Sequence, residues 1–402
     1  MTIFQSLWLV YELYYKKGLP NIDRIQSLGL LAIKIGQLHA MRLDFLSPEK
    51  CQHLTKLYRN ANQISAEDVQ ILIEEQGGKD FLINFSKFDE KPLAAASVGQ
   101  VYQAKLNNGP EVAIKIIKAK FKKRFTHDVK NLRKFFNFVL TIYPKLKRVG
   151  NPIGILDDIE TYTLTELDLR NEVKGRDTLL NIYNQYKDTF DLSMLYFHDY
   201  YHELSSENIL VSEFIDAPSV DELLSLGKFS YDDLLKLFYL QGFYIFVAGK
   251  FHGDLHPGNV LYDGKKFYFV DNAFVGQAGD RIRQGLFYFF EALSRYDYTL
   301  CANWLNKMAE KQISGDDFIE FKNNFIELYK NYTNSTVSQV SLTKQMMLTI
   351  KLGVNSGMRF EQGIFAIIRS LMYMDGMVLK CNPQAILVQD MRQFIEAYKK
   401  YI

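Results

Sequence analysis

Several features that mark special classes of protein are scarce in this chain. Its 402 residues include three cysteines and nine prolines, and the formal net charge is +2. Because the cysteines lie far apart and form no CxxC pair, they predict a reducing compartment and no disulfide framework. A net charge this near zero gives no indication of nucleic-acid binding. The low proline content argues against a disordered chain.

Segments typical of export or membrane insertion are missing as well. The opening, MTIFQSLWLVYELYYKK, lacks the basic leading stretch and the small-residue cleavage site of a signal peptide. Its apolar run, like LFYLQGFYIFVAG at 237–249, is too short to span a bilayer. We therefore expect a cytoplasmic protein in which 237–249 forms a buried helix.

Apolar and aromatic residues are abundant, at 48% and 14% of the sequence. This composition predicts a folded, mostly helical protein, and the length predicts two or three subdomains. Apolar spacing predicts helices at 22–41, 125–143, 161–186 and, with breaks, from about 220 to the end. In SVGQVYQAKLNNGPEVAIKIIK, two strands are predicted to join at Asn107-Asn108-Gly109. Short strands are also predicted at 192–197 and 208–215.

Residues 251–274, FHGDLHPGNVLYDGKKFYFVDNAF, carry a high density of polar groups. The pattern predicts a turn-rich loop over 252–259, then a hairpin of strands at 260–262 and 267–270 that ends at Asp271. Oxygen-bearing side chains on both sides of a small hairpin suggest a site that holds a cation and a phosphate.

Two elements of the β-rich region match the phosphate-binding parts of a kinase. AAASVG at 94–99 precedes a predicted strand, and Ala94, Ala96 and Gly99 occupy the three glycine positions of G-x-G-x-x-G. The next strand ends in VAIK, whose Lys115 matches the lysine that binds the α- and β-phosphates.

The polar stretch supplies a third matching element. His252-x-Asp254 followed by Asn259 reproduces H-x-D-x-x-x-x-N of the kinase catalytic loop. Asp254 would reach the acceptor hydroxyl or water, while Asn259 and Asp271 would hold Mg²⁺, which prefers oxygen ligands. The three elements occur in the order that a kinase requires, which makes their combination far more specific than any one of them.

Other interpretations of these residues remain open. His252 and His256 with Asp254 could be the metal ligands of a hydrolase, although no further ligand cluster is evident. Asp254 and Asp271 could cap turns, as acidic residues often do. Lys115 could extend from a strand end into solvent.

Five motifs together resemble the UbiB/AarF (ADCK-type) atypical kinase family. They are KIGQ at 34–37, AAASVGQVYQAKL at 94–106, VAIK at 112–115, ELDLRNE at 166–172 and HGDLHPGN at 252–259. The resemblance runs from roughly Ile22 to Pro383. The alanine-rich loop and KxGQ are highly specific, whereas HGDLHPGN is shared with aminoglycoside and choline kinase-like phosphotransferases.

The resemblance implies a two-lobed protein kinase-like fold, α+β and helix-dominated, with an N-terminal helical extension. The implied domains are an extension with KxGQ at 1–90, an N-lobe at 91–215 and a helical C-lobe at 216–402. It further implies ATP or ADP and Mg²⁺ as cofactors.

The resemblance also assigns the site residues. The catalytic residues would be Asp254, Lys115 and Lys34, and the metal ligands Asn259 and Asp271. The nucleotide-binding residues would be Ala94, Ala95, Ala96, Ser97, Val98, Gly99, Lys115, Glu172 and Glu213. Lys115 would pair with Glu172, while Lys34 and Gln37 would reach into the active site and meet Glu166 and Asp168.

The KxGQ and ELDLRNE motifs also have ordinary interpretations. Lys34 and Gln37 share a helical face, where Gly36 allows another backbone to approach, yet they could belong to a plain packing helix. Glu166–Arg170 and Glu172–Arg176 could be i,i+4 pairs of a solvated helix. Glu166 and Asp168 do not share a helical face, so both could serve one site only if the helix ends beside it.

The sequence departs from the family pattern in two respects. Asp271-Asn272-Ala273 replaces D-F-G, so the aromatic latch that switches many kinases is missing. The tail QDMRQFIEAYKKYI reads as an amphipathic helix and not as the transmembrane hairpin of some members, so any membrane contact is expected to be peripheral. The basic stretch 115–136 is interpreted first as a solvated helix face, then as a membrane-docking surface, and least as a nucleic-acid site.

Members of the family are linked to isoprenoid-lipid, quinone-type metabolism, and several are thought to be ATPases or small-molecule kinases. The resemblance therefore implies Mg²⁺-dependent ATP hydrolysis or phosphoryl transfer to a small-molecule, lipid or protein acceptor. One alternative is a phosphotransferase of the aminoglycoside or choline kinase type, which would need an open acceptor cleft. The other is a nucleotide-binding pseudokinase that acts as a scaffold.

Overall fold

The computed structural model describes residues 1–40, 46–58, 66–78, 80–95, 98–117, 119–143, 152–361 and 363–402. The chain divides into two compact units. Unit 1 comprises Met1–Lys174 and His198–Ile215, and unit 2 comprises Gly175–Phe197 and Asp216–Ile402. The predicted N-lobe at 91–215 is not continuous in this division, because 175–197 belongs to unit 2. The functional division into three domains stays a prediction.

Helices dominate both units, as the sequence predicted. They are α1 (Ile3–Val10), α2 (Ile22–Ser27), α3 (Leu30–His39), α4 (Pro48–Leu54), α5 (Ala66–Gly77), α6 (Ala119–Ile142), α7 (Pro152–Glu166), α8 (Arg170–Tyr186), α9 (Val220–Ser225), α10 (Tyr231–Gly242), α11 (Asp280–Ser294), α12 (Tyr298–Met308), α13 (Gly315–Leu328), α14 (Leu342–Asn355), α15 (Gly363–Cys381), α16 (Leu387–Asp390) and α17 (Arg392–Tyr398).

The strands are short and belong to separate sheets. They are β1 (Phe85–Phe88), β2 (Ala94–Ala95), β3 (Gly99–Leu106), β4 (Glu111–Ile117), β5 (Leu195–Tyr196), β6 (Ile209–Glu213), β7 (Lys250–His252), β8 (Val260–Tyr262), β9 (Phe267–Phe269) and β10 (Val275–Gln277). The sheet of unit 1 has the order β1-β3-β4-β6, with β2 pairing with β3. In unit 2, β5-β9-β8 form one sheet and β10-β7 another.

The predicted hairpin of unit 1 is confirmed. β3 and β4 pair antiparallel in a register that sets Tyr102 opposite Ile114, and Asn107–Gly109 lie at the turn. Alternation along β4 buries Val112, Ile114 and Ile116 in one core cluster, so Lys115 points to the other face of the sheet.

Two predicted helices are each interrupted. The helix predicted at 22–41 is divided into α2 and α3 at Gly29, whose φ of +104° ends the helical geometry. The helix predicted at 161–186 is divided between α7 and α8. Between them, Leu167 and Leu169 are buried, and the Leu169 N–H donates to the Glu207 carbonyl instead of continuing the helix. Tertiary burial therefore overrides the helical spacing at this point.

Unit 2 contains the predicted hairpin and the predicted buried helix. β8 and β9 pair antiparallel, and Val260 lies opposite Phe269. α10 runs into a π-helical segment, Phe243–Ala248, and most of 237–249 is buried. Among the described residues, no helix is both long enough and apolar enough to cross a membrane.

Candidate active site

Lys115 of β4 forms an ion pair inside unit 1. Its Nζ lies 2.7 Å from Oε2 of Glu172, and the two side chains are 15% and 5% exposed. Glu172 lies in the first turn of α8, where the helix dipole also favours a negative charge. The pair predicted from the sequence is therefore present, with a carboxylate that fixes the direction of the lysine.

The alanine-rich loop is anchored on the sheet beside this pair. Ala94 and Ala95 pair with Val101 and Gln100 of β3, so the loop turns back on the strand that follows it. Gly99 begins β3, and a Cβ there would lie 2.4 Å from the Ile116 carbonyl oxygen, so no larger residue fits. Val98 is buried. Ala96 and Ser97 lie outside the described residues, and the role of the loop in nucleotide binding stays a prediction.

Glu213 ends β6 on the same sheet. Its N–H donates to the Asp199 carbonyl at 2.9 Å, and its Oε2 accepts from the Asp199 N–H at 3.3 Å. The side chain therefore helps to hold the neighbouring chain segment, and its nucleotide-binding role stays a prediction.

The KxGQ residues of α3 make two kinds of contact. Lys34 forms an ion pair with Glu166 at the end of α7, as the resemblance implied. A Cβ on Gly36 would lie 2.3 Å from Cδ1 of Leu57, and Gln37 Nε2 donates to the Leu57 carbonyl at 3.0 Å. The sequence predicted that Gly36 would allow another backbone to approach, but the group that approaches is the Leu57 side chain. Gly36 and Gln37 therefore pack α3 against Leu57.

Asp168 is bound by a different partner from the one predicted. Its carboxylate accepts from Arg170 Nε at 2.8 Å, from Nη2 at 2.6 Å and from the Arg170 N–H at 3.1 Å. The Arg170 side chain, as its main hydrogen-bond donor, lowers the pKa of Asp168. Arg170 also reaches Glu207 at 3.5 Å. Glu166 ends α7 and Arg170 begins α8, so the alternative of a Glu166–Arg170 pair along one helix is wrong.

The catalytic-loop motif in unit 2 is organised by a buried histidine. His252 is fully buried, and burial lowers its pKa, so the ring is neutral at pH 7. Its Nδ1 accepts from the Asp254 N–H at 3.2 Å and its Nε2 donates to the Val270 carbonyl at 3.0 Å. These two contacts define the tautomer and join the loop to the end of β9.

The two predicted metal ligands come together through the backbone. The Asn259 carbonyl accepts from the Val270 N–H at 3.0 Å, directly before Asp271, and Asn259 Nδ2 donates to the Asp254 carbonyl at 3.0 Å. Asp271 has φ +58°, an uncommon conformation that is concentrated at functional sites. The next residue, Asn272, is buried and donates to the Phe269 carbonyl at 2.8 Å.

This donor set fits Mg²⁺. A carboxylate and an amide oxygen are hard oxygen ligands, and Mg²⁺ is usually bound by one or two such groups plus water and phosphate. Among the described residues, no group of three or more His, Cys, Asp or Glu side chains is placed to hold a metal.

Two residues that contact Asp254 were not predicted. Tyr373 of α15 donates its hydroxyl to Asp254 Oδ1 at 3.1 Å, and Arg369 Nε lies 3.8 Å from the same oxygen. The Tyr373 ring also packs edge-on against His256, with centroids 5.1 Å apart. The sequence does carry a signal for Arg369, because it is the one charged residue in the apolar stretch IFAIIRSLMYM, and a lone charge on an apolar helix needs a polar partner.

Comparison with known proteins gives a consistent result. The ABC1 atypical kinase-like domain matches residues 56–305, more than half of the chain. A probable protein kinase UbiB of Glaesserella parasuis is 26% identical over 92% of this chain and 69% of that protein. A chloroplastic protein of Arabidopsis thaliana named ACTIVITY OF BC1 COMPLEX KINASE 8 is 28% identical over 66% of this chain and 35% of that protein.

A solved structure is also similar across most of the chain. It is a Mycobacterium tuberculosis protein in complex with erythromycin, with a TM-score of 0.54 and 17% identity, and the match covers 96% of this chain and 92% of that one. At this identity the similarity concerns the fold alone.

Proposed function

Since the chain belongs to the ABC1 atypical kinase-like family, we propose that it binds ATP with Mg²⁺ and hydrolyses it or transfers its terminal phosphate. The observation that carries this proposal is the Lys115–Glu172 ion pair at 2.7 Å, which orients an ammonium group for phosphate oxygens. In protein kinases the equivalent pair must be in place for phosphoryl transfer.

The proposed site residues have separate roles. Lys115 donates to the α- and β-phosphate oxygens while Glu172 prevents the lysine from turning away. Asp254 accepts the proton of the attacking hydroxyl or water. Asn259 and Asp271 would hold Mg²⁺, which would supply positive charge to offset the charge of the phosphate oxygens. The neutral His252 ring keeps the Asp254 backbone in register with Val270.

We further propose that the acceptor belongs to isoprenoid-lipid, quinone-type metabolism and is reached at a membrane surface. Along α1 and the π-helical segment Tyr11–Tyr15, Phe4, Leu7, Tyr11 and Tyr15 share one exposed face, and Phe4 is 83% exposed. α1 packs against α6, on which Lys123, Lys130 and Lys134 are exposed. Apolar and basic groups on adjacent helices suit a peripheral contact with anionic lipid.

Flotation with anionic vesicles tests the membrane contact. Binding is expected at low salt and is expected to be lost at high salt or in a Phe4→Ser/Tyr15→Ser variant. Absence of binding at low salt would remove the membrane contact but would leave the nucleotide chemistry intact.

Nucleotide turnover tests the central proposal. The purified protein is assayed for phosphate release and transfer from ATP with Mg²⁺, with and without prenyl-phenols, lipids and hydrophilic amino-sugar or choline acceptors. Stimulation of turnover by prenyl-phenols or lipids supports the proposal. Lys115→Met should abolish turnover of ATP. Transfer to hydrophilic acceptors would favour the small-molecule phosphotransferase, and ATP binding without turnover would favour the pseudokinase scaffold.

A further inference from the structure

The catalytic loop lacks a cation of its own. Kinase loops of the H-R-D type have an arginine between histidine and aspartate, whereas this chain has Gly253 at that position. No lysine or arginine occurs anywhere in 252–259. The guanidinium at this loop comes instead from Arg369 of α15, whose Nη2 donates to the Gly253 carbonyl.

Arg369 and Tyr373 reach the loop from one face of α15. They are four residues apart, so they lie one turn from each other on the same side of the helix. Both contact Oδ1 of Asp254, Tyr373 at 3.1 Å and Arg369 at 3.8 Å, although Tyr373 follows Asp254 by 119 residues in the chain.

A buried amide fixes the position of this helix face relative to the loop. Gln241 of α10 donates to Ser370 Oγ at 2.8 Å and to the His252 carbonyl at 3.1 Å, and all three residues are buried. Ser370 is the immediate neighbour of Arg369. The backbone at His252 and the helix that carries Arg369 are therefore tied to the same side chain.

We propose that Tyr373 and Arg369 are positioning residues that orient the Asp254 carboxylate for proton acceptance. This inference rests on the proposed function. Because the Tyr373 hydroxyl binds Oδ1 and the nearest Arg369 nitrogen lies 3.8 Å from the same oxygen, Oδ2 is the oxygen left to face the acceptor hydroxyl or water. The Tyr373 hydrogen bond sets the rotation of the carboxylate, and the Arg369 guanidinium, bonded to the Gly253 carbonyl, holds the backbone directly before Asp254.

A purely structural role would show a different pattern. Arg369 lies 5.4 Å from the Phe274 ring centroid and could simply fasten α15 to the loop. In that case substitution would lower the melting temperature, and any loss of turnover would follow the loss of folded protein. Positioning predicts that kcat falls sharply while the KM for ATP stays unchanged and the melting temperature falls only slightly.

The decisive variant is Tyr373→Phe, which removes one hydroxyl. A hydrogen bond to a charged group is usually strong enough that kcat should fall on the order of ten-fold to a hundred-fold. The matched control is Tyr244→Phe, which removes a buried hydroxyl that donates to the Leu179 carbonyl at 3.0 Å and should leave kcat unchanged. Arg369→Lys keeps the charge and should retain more activity than Arg369→Met.

A double-mutant cycle separates this inference from the proposed function. If Tyr373 acts through Asp254, Tyr373→Phe should lower turnover in the parent and cause no further loss in an Asp254→Asn protein. If the parent has no turnover that depends on Asp254, the proposed function fails and the inference fails with it. If turnover depends on Asp254 but Tyr373→Phe keeps the parent kcat, the positioning role alone is overturned.

Discussion

Lys115 in unit 1 and Asp254 in unit 2 are held by different kinds of interaction. Lys115 is 15% exposed and has a carboxylate 2.7 Å away. Asp254 is 30% exposed, and its carboxylate meets a hydroxyl at 3.1 Å and a more distant guanidinium. The first arrangement depends on charge neutralisation in a dry environment, whereas the second depends on orientation where water still has access. We therefore expect substitutions at the Lys115–Glu172 pair to lower stability most, and substitutions around Asp254 to lower activity with little loss of stability.

The largest effect on stability is expected at Glu172. Glu172→Gln removes the negative charge of a mostly buried ion pair and should destabilise the protein by about 3 kcal/mol. Tyr373→Phe should cost about 1 kcal/mol or less. Urea unfolding measures both variants. A Lys115→Met/Glu172→Leu double variant should recover most of the loss, because apolar side chains can replace a buried ion pair. Equal losses at Glu172 and Tyr373 would break the comparison.

A comparable effect is expected on ligand binding at Asp271. Asn tolerates the positive φ of this residue, so Asp271→Asn should leave the unliganded melting temperature nearly unchanged. The substitution should nevertheless remove the stabilisation that ATP gives in the presence of Mg²⁺. For an ATP concentration of a hundred times its dissociation constant, that stabilisation is about 2.7 kcal/mol. The control is Asp280→Asn at a side chain that is 87% exposed, which should keep the full shift. A full shift in Asp271→Asn would contradict its role as a ligand.

A smaller effect concerns pH. Burial, with a contribution from Asp157, raises the pKa of Asp158 in unit 1 to about 6. The folded state then binds a proton more readily than the unfolded state, so the stability from this group falls as pH rises from about 4 to about 6. Asp158→Asn should stabilise the protein by about 1 kcal/mol at pH 8 and by almost nothing below pH 4. A pH-independent difference between parent and variant would contradict this assignment.

The two units should respond to acid in opposite directions at these groups. The pKa of His252 in unit 2 is lowered by burial, so its contribution to stability is present above about pH 6.5 and is lost on acidification. The contribution of Asp158 in unit 1 to stability instead increases as the pH falls from about 6 to about 4. The Asp158→Asn protein should therefore be more sensitive to acid than the parent.

The smallest effect on stability is expected in the alanine-rich loop. Ala94→Gly should cost less than about 1 kcal/mol, because glycine loses more backbone entropy in a strand. It should change the preference between ATP and ADP and raise self-phosphorylation, because the loop can then bring its N–H groups closer to phosphates. Ala104→Gly on β3, whose side chain is in the core, is the control and should leave the preference unchanged. Identical nucleotide affinities in Ala94→Gly and the parent would mean that the loop does not cover the phosphates.

Much of the fold could be predicted from local patterns. The β3–β4 hairpin was placed correctly because alternation and an Asn-Asn-Gly turn are local signals. The match to the ABC1 atypical kinase-like domain confirms the family resemblance and the kinase-like, helix-dominated fold. The breaks at Gly29 and at Leu167–Leu169 were missed, since helical spacing of apolar residues continues across both.

The site residues show the same limit. The VAIK motif named Lys115, the family resemblance named Glu172 as its partner, and the structure pairs them. Motif spacing could not name Arg369 or Tyr373, because their contact with Asp254 depends on how α15 packs, and no spacing rule reports that. Asp168 was assigned to the wrong partner for a similar reason, since the division of α7 from α8 brings Arg170 onto its carboxylate.

Two helical glycines should differ sharply in a saturation-mutagenesis library. A Cβ on Gly175 of α8 would lie 1.8 Å from the carbonyl oxygen of Asn272, the residue after Asp271, so every other amino acid would displace that turn. Gly376 of α15 is exposed and has nothing within 4 Å of the same position. Gly376 should accept most residues, and alanine there should raise helix stability by up to about 1 kcal/mol. Under selection for activity, position 175 should be recovered almost exclusively as glycine. The helix position that packs against the Asp271 turn should therefore be among the least substitutable in the chain.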